Sequence, residues 1–409
     1  MRELAEPNRG VSFHACRDGG VLYDARVRRL YALNPAAALS WLTLYDGTPE
    51  AVTSALVETF GIDETVARAW AAASLSSFRA LGLTEEPPQI EESPPISEEM
   101  LVRSHPDTED KRVAEHLPPH APDTERITVR LLEQYFELSY PAAVGPFLHG
   151  LLHPARAPRR AVTGPTMATI VIRISKLCAG YDIVVDNRAA ARDVVLPELA
   201  TAVEQELVTA AVTATPHLLT LHAGTIRSAD DGLLLVGASG SGKSTLGAAL
   251  VRAGWQYGGD ELALLARSFS VRPVSLGVCI KRNSFGLIER WFPHFAAAAT
   301  QNRFGREVRF LALENGFDET AVAAVVFPRY APSAVPRATR MTGLDGLKRL
   351  LEECVFVPEG FEPEDVAGLM RWHESVAYFE IVFSDAEAAA RAVREMVFGM
   401  MHSGHTDEK

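Results

Sequence analysis

Cysteine is scarce, with four in 409 residues. Cys16, Cys178, Cys279 and Cys354 are scattered along the chain, with no Cys-x-x-Cys pair. That excludes a zinc knuckle and a disulfide framework and leaves buried, reduced thiols as the expectation. Lysine is scarce among the cations, six of 40 basic residues, and the net charge is −12. A broad surface for nucleic acid or anionic membrane is therefore not expected, while a local basic patch stays compatible with the balance. No run approaches the roughly 18 apolar residues of a membrane helix, and the start "MRELAEPNRG" holds no apolar stretch of signal-peptide type. The cytoplasm is the expected location. No internal repeat is evident. What is present is a mixture of 47% apolar and 22% charged residues, the composition of a soluble globular protein, at a length that suggests two or three domains.

Composition also divides the chain. Residues 85–125 are dense in proline and acid, without periodicity and with few large apolar side chains. Such a segment buries too little surface to offset its ordering entropy and reads as a self-repelling linker. It separates an N-terminal domain, 1–84, from a larger one, 126–402, with a short tail at 403–409.

The N-terminal domain announces its elements in order. "VSFHAC" and "VLYD" flank Asp18-Gly19-Gly20, a hairpin signal. "RLYALN" then runs into Asn34-Pro35, an N-cap followed by proline at the first helical position. The helix "PAAALSWLTLYDG" stops at Gly47, a second opens at Thr48-Pro49 and ends at Gly61, and Asp63 caps a third that stops at Gly82. Three short strands followed by three helices make a small winged-helix arrangement. The third helix would be its DNA reader, yet it pairs Arg68 and Arg79 with Glu64 and lacks a basic stripe for phosphates. A structural cap on the larger domain fits the residues better than DNA binding.

The run "YALNPAAALSWLTLYDGTPEAVTSALVETFG" with the closing "ALGLT" resembles the PqqD-type family, the recognition element of peptide-modifying systems. The likeness rests on the aromatic-x-Leu-Asn entry, Trp41, Asp46-Gly47 and Gly82-Leu83. It implies that the leader of a precursor peptide, or a small protein substrate, adds as a strand beside the third strand in a groove formed with the third helix. In β-augmentation of this kind, backbone hydrogen bonds supply affinity and pockets supply preference. On that mapping the contacts are Val27, Arg29 and Tyr31 on the strand side and Arg68 and Ala72 on the helix.

The chemistry lies further on. Gly237-Ala238-Ser239-Gly240-Ser241-Gly242-Lys243-Ser244 fits G-x-x-x-x-G-K-[ST], with the apolar "GLLLV" before it as a strand and Thr245 opening "TLGAALVRAG" after it as a helix. In such a loop, glycines let the backbone wrap phosphates and helix N-terminal amides point at them. Lys243 would reach the β- and γ-phosphates of ATP and Ser244 would hold Mg²⁺. Many machines share this loop. The ABC-type ATPases carry an LSGGQ-like signature that is absent here, and their catalytic acid lies much further along. In this chain Asp260-Glu261 follows Ser244 by only sixteen residues, one helix plus half a strand. That places the acid on the next strand, facing the phosphates, where a carboxylate can meet Mg²⁺ or accept a proton from an incoming alcohol. The bland alternative is that Asp260 caps a turn after Gly258-Gly259. Close approach of backbone to ligand explains the two glycines better.

Fifteen residues before Gly237 stands His222, in an apolar run where a lone histidine is usually a satisfied core residue. The combination "LHAG … GASGSGKST … GGDELALL" resembles the HPr kinase/phosphorylase family, whose fold is akin to phosphoenolpyruvate carboxykinase. The resemblance is strong over 218–265 and loose over the rest of 126–400. It implies an α/β P-loop kinase domain using ATP and Mg²⁺, with His222 near the transferred phosphate and Asp260 as base and metal contact, Glu261 beside it. Self-association is expected by the same resemblance. Lys281, at the end of an apolar run, would neutralise transferring phosphate or simply be a solvated strand end. Arg329, closing "AAVVFPR", would clamp phosphate from the facing side. The family shows two consecutive aspartates where this chain has Gly259-Asp260, and its reverse-reaction signature is missing, so action on the HPr carrier protein does not follow. The combined expectation is a kinase for a Ser/Thr hydroxyl of a captured peptide. A small-molecule kinase with a regulatory N-terminal domain and an ATP-switched peptide chaperone stay open.

Overall fold

The computed structural model describes residues 8, 10–44, 48–84, 123–158, 168–174, 180–229 and 231–403. The body of the expected linker, the Asp46-Gly47 stop, Cys178 and all but the first residue of the expected tail lie outside them. The chain is a mixed α/β protein, and no helix among the described residues is long and apolar enough to cross a membrane.

The first compact unit begins with an antiparallel meander of β1 (Val11–Cys16), β2 (Gly19–Asp24) and β3 (Arg29–Leu33), with β2 in the middle. Three helices follow: α1 (Pro35–Thr43), α2 (Pro49–Phe60) and α3 (Glu64–Ala80). Each starts where its cap dictates. Asn34, Thr48 and Asp63 accept hydrogen bonds from the amides of Ala37, Ala51 and Thr65 at 2.8, 3.1 and 2.8 Å. Gly61 ends α2 in the left-handed conformation, φ 62°. Leu22, Trp41, Leu56 and Phe78 are fully buried together, and the Trp41 and Phe78 rings meet edge to face with centroids 5.1 Å apart.

Sequence order does not delimit this unit. Residues 340–352 and 359–378, expected in the larger domain, belong to it. Asp18 accepts a hydrogen bond from the amide of Gly343, the first residue of the helix Gly343–Glu352, and the Tyr23 hydroxyl donates to the Phe361 carbonyl. Arg28 donates to the Glu359 carbonyl at 2.8 Å. Polar side chains of the N-terminal meander satisfy backbone groups more than three hundred residues away, a pairing that no local pattern encodes.

The second unit holds the remaining described residues from 123 onward. Its first strand, Thr124–Leu131, begins inside the expected linker. That strand joins Gln134–Pro141, Ala168–Ile174, Tyr181–Val185 and Arg188–Val194 in a five-stranded sheet. The apolar side of that sheet packs with the helix Leu199–Ala214 around Leu138, Ile170, Val203 and Leu207. A six-stranded sheet carries the phosphate loop. Its order is Gln256–Gly259, Ala223–Ser228, Asp231–Val236, Ala321–Tyr330, Ala377–Phe383 and Arg337–Arg340. Asp231–Val236 is flanked by an antiparallel neighbour and a parallel one, and both faces are closed, which accounts for its unbroken "GLLLV".

Because Phe78 is buried against Trp41 in a small core, Phe78→Ala is expected to destabilise the first unit by about 3–5 kcal/mol, measured as a shift in the urea unfolding midpoint.

Candidate functional site

The loop Gly237–Gly242 joins the strand Asp231–Val236 to the helix Lys243–Arg252. Gly242, at φ 95°, has a left-handed backbone, and a Cβ there would lie 2.7 Å from Phe383 Cζ, so only glycine serves. The Ser241 amide donates to the Ala238 carbonyl at 3.0 Å and the Ser241 carbonyl accepts from the Tyr330 amide at 2.8 Å, which ties the loop to the parallel strand. Gly240 is also left-handed, at φ 95°, and Thr245 Oγ1 lies 3.2 Å from Ser284 Oγ.

Lys243 is 7% exposed, and its ammonium has no hydrogen-bond partner among the described residues; the same is true of the Ser241 hydroxyl. Burial lowers the Lys243 pKa, while the charges of Asp260, Glu261 and Glu353 oppose the shift and Lys281 adds to it. An unpaired buried ammonium at the mouth of a glycine loop is a group made to meet an anion. Asp260 Oδ2 accepts a hydrogen bond from Ser244 Oγ at 2.8 Å. Burial raises the Asp260 pKa, Lys243 pulls it back and Glu261 pushes it further up. The strand before it stops at Gly259, so Asp260 follows that strand instead of sitting on it. A Cβ at Gly259 would lie 2.6 Å from the Val274 carbonyl, and one at Gly258 would lie 2.7 Å from Phe317. Both glycines thus allow close approach of this chain's own backbone and side chains.

Glu261 points another way. Its carboxylate lies 3.5 Å from His222 Nε2 and 2.9 Å from Arg303 Nη1, and His222 Nδ1 lies 3.2 Å from Glu353. Burial would raise the Glu261 pKa, but the hydrogen bond with His222 and the Arg303 and Lys243 charges hold it well below the usual carboxylate range. Arg303 also reaches Glu204 at 3.3 Å. Glu204 is buried on the helix Leu199–Ala214, and desolvation with the nearby charges of Glu261 and Asp260 pushes its pKa up to about 7 against the pull of Arg303.

Lys281 ends the strand Val278–Lys281 and donates to Ser239 Oγ at 2.6 Å, so it reaches the loop. Arg329 instead lies 3.6 Å from Glu380 on the adjoining strand. The structure thus brings together Lys243, Ser244, Asp260, Glu261, His222 and Lys281. Glu204, Glu353, Arg303 and Arg306 join them without a sequence signal, since each comes from a separate element and none sits in a motif. In the first unit, β3 is an outer strand of its sheet, with Val27 and Arg29 exposed beside it and Tyr31 half-buried. Ala72 and Arg68 are exposed on α3, Arg68 paired to Glu64 at 2.7 Å, and α1 packs against both β3 and α3.

No group of three or more His, Cys, Asp or Glu side chains among the described residues is arranged to hold a metal ion. Ser244 and Asp260 offer a sparse oxygen pair of the kind that could share a Mg²⁺ with phosphates. A cavity of about 470 Å³ lies apart from this cluster, lined by Arg130, Arg156, Arg272, His153, Glu133 and Asp318 among others. Its charges balance internally, Arg130 with Asp318 at 2.9 Å and Arg272 with Glu133 at 3.2 Å.

No family model matches the chain, and no curated protein does. Among solved structures, the HPr(Ser) kinase/phosphatase from Coxiella burnetii is similar at 16% identity and a TM-score of 0.25, over 46% of this chain and 99% of that one. The side chains around Lys243, and not so slight a likeness, carry the functional reading.

Glu204 supplies a pH test. Its folded pKa, about 7, stands above its ordinary 4.5, so the folded state holds the extra proton between those values. Its contribution is fully present below pH 4.5 and lost as pH rises through 7. Wild type is expected to lose stability relative to Glu204→Gln between about pH 5 and 8, read from urea unfolding at each pH.

Proposed function

We propose that the chain is an ATP- and Mg²⁺-dependent kinase that phosphorylates a Ser or Thr hydroxyl of a peptide or small protein held by the N-terminal unit. The observation that carries it is the junction of Ser244 and Asp260 at 2.8 Å beside the buried, unpartnered Lys243. The bound nucleotide and cation would supply the phosphoryl group and a Lewis acid. The chain supplies position and charge, which is what phosphoryl transfer chiefly requires.

In this reading the loop amides and Lys243 hold the phosphates, and Ser244 and Asp260 hold the cation. Asp260 also takes the proton of the incoming hydroxyl. Glu261 stays ionised between His222 and Arg303 and fixes the backbone beside Asp260. His222, 22% exposed and held between two carboxylates, faces the transferred group. The outer edge of β3 supports a peptide seat, since its free backbone groups are ready to pair with an added strand. Tethering then raises the local concentration of the acceptor.

Incubating the full chain with ATP, Mg²⁺ and peptides encoded beside its gene should add one phosphate mass to a peptide Ser or Thr. Asp260→Asn should slow this by about 10²–10⁴-fold while nucleotide binding, followed by calorimetry, persists. Full activity in that variant, or no phosphorylated peptide with the wild type, overturns the proposal. Arg29→Glu is expected to raise the KM for peptide and leave kcat within about twofold if the β3 edge is the seat. A kcat change at unaltered KM would place the peptide elsewhere.

A further inference from the structure

Two cations converge on one hydroxyl of the phosphate loop. Lys281 Nζ donates to Ser239 Oγ at 2.6 Å and Arg306 Nη1 donates to the same oxygen at 3.1 Å. Neither has a carboxylate partner among the described residues. That is unusual in its surroundings. Acids outnumber bases in this chain, 52 to 40, and neighbouring cations are paired: Arg303 with Glu261 and Glu204, Arg282 with Glu307, Arg309 with Glu289. Only a neutral oxygen holds Lys281 and Arg306.

Their placement is rigid. Lys281 pairs with Val308 across the antiparallel strands Val278–Lys281 and Arg306–Leu311, so Arg306, two residues before Val308, lies on the same face as its diagonal neighbour. A tight two-residue turn, Phe304-Gly305 at φ 50° and 77°, brings Arg306 back opposite Arg303. One hairpin therefore sends Arg303 to Glu261 and Arg306 to Ser239. In the same loop and the helix after it, Ser241 Oγ and Lys243 Nζ are buried without hydrogen-bond partners among the described residues. Lys243 alone is one positive charge, and a terminal phosphate carries nearly two negative ones.

We propose that Lys281 and Arg306 leave Ser239 and clamp the terminal phosphate of a nucleoside triphosphate, so that the site prefers triphosphate over diphosphate. This inference rests on the nucleotide reading above and adds its specificity. Arg306 donates in a planar fork suited to two phosphate oxygens, and Lys281 contributes a compact charge. A diphosphate ends short of them and gains nothing from either.

The test is calorimetric binding to the full chain, with Mg²⁺, of the non-hydrolysable β,γ-imido analogue of ATP and of ADP. Wild type should prefer the analogue. Lys281→Ala and Arg306→Ala should each weaken the analogue about tenfold, as loss of one charged hydrogen bond does, and leave ADP within about twofold. Arg306→Lys should recover part of the loss. Lys281 is partly exposed and Arg306 exposed, and matching urea midpoints would show that the variants fold. Equal weakening of both nucleotides, unchanged affinity for the analogue, or a wild type without preference overturns the clamp and leaves the nucleotide reading standing. Failure of the wild type to bind either nucleotide overturns both.

Discussion

A buried ammonium sets the terms for this protein. Lys243 stands at the start of a helix, almost wholly out of water and without a hydrogen-bond partner among the described residues. An isolated charge there would be prohibitive, so the surroundings must answer it electrostatically. Asp260 and Glu261, consecutive in the chain, and Glu353 from a distant segment do so. Those acids then need company of their own. Glu261 draws in His222 and Arg303, Arg303 draws in Glu204, and a network extends from the phosphate loop to the helix Leu199–Ala214.

The same network separates two carboxylates that are adjacent in sequence. Asp260 is buried beside a hydroxyl and its pKa rises; Glu261 is clasped by a guanidinium and an imidazole and its pKa falls. Adjacent acids whose pKa values diverge are suited to different work, one to exchange a proton and one to remain charged. The separation depends on His222 and on Arg303, which the hairpin Gln301–Leu311 delivers from more than forty residues away. In the N-terminal unit the polar logic is similar but structural. Asp18 and Tyr23 bond to the backbone near Gly343 and Phe361, so a distant stretch of chain completes the unit.

Much was legible from the residues in order. Caps at Asn34, Thr48 and Asp63 placed three helices, and the glycine-rich loop between an apolar run and a helix placed the lysine and serine that meet the acid. These are short-range facts, written within a few residues of where they act. The two-glycine step before Asp260 was legible as a position but not in its cause, because Val274 and Phe317 approach it only in three dimensions. Arg329 shows the converse, a plausible phosphate clamp by spacing that meets Glu380 instead.

By itself the sequence determined the caps, the turns, the phosphate loop and the interval from Ser244 to Asp260, because each depends on backbone geometry over a turn or two of helix. Tertiary structure alone decided which cations lack acids. Arg306 carries no signal in one dimension and Lys281 only its place at the end of an apolar run; the pairing of two strands sets both on one hydroxyl of the loop. It also decided that residues 340–352 and 359–378 belong with the N-terminal meander. The physical reason is the same in both cases. Charge balance and backbone satisfaction are settled among neighbours in space, and chain order does not record who those neighbours are.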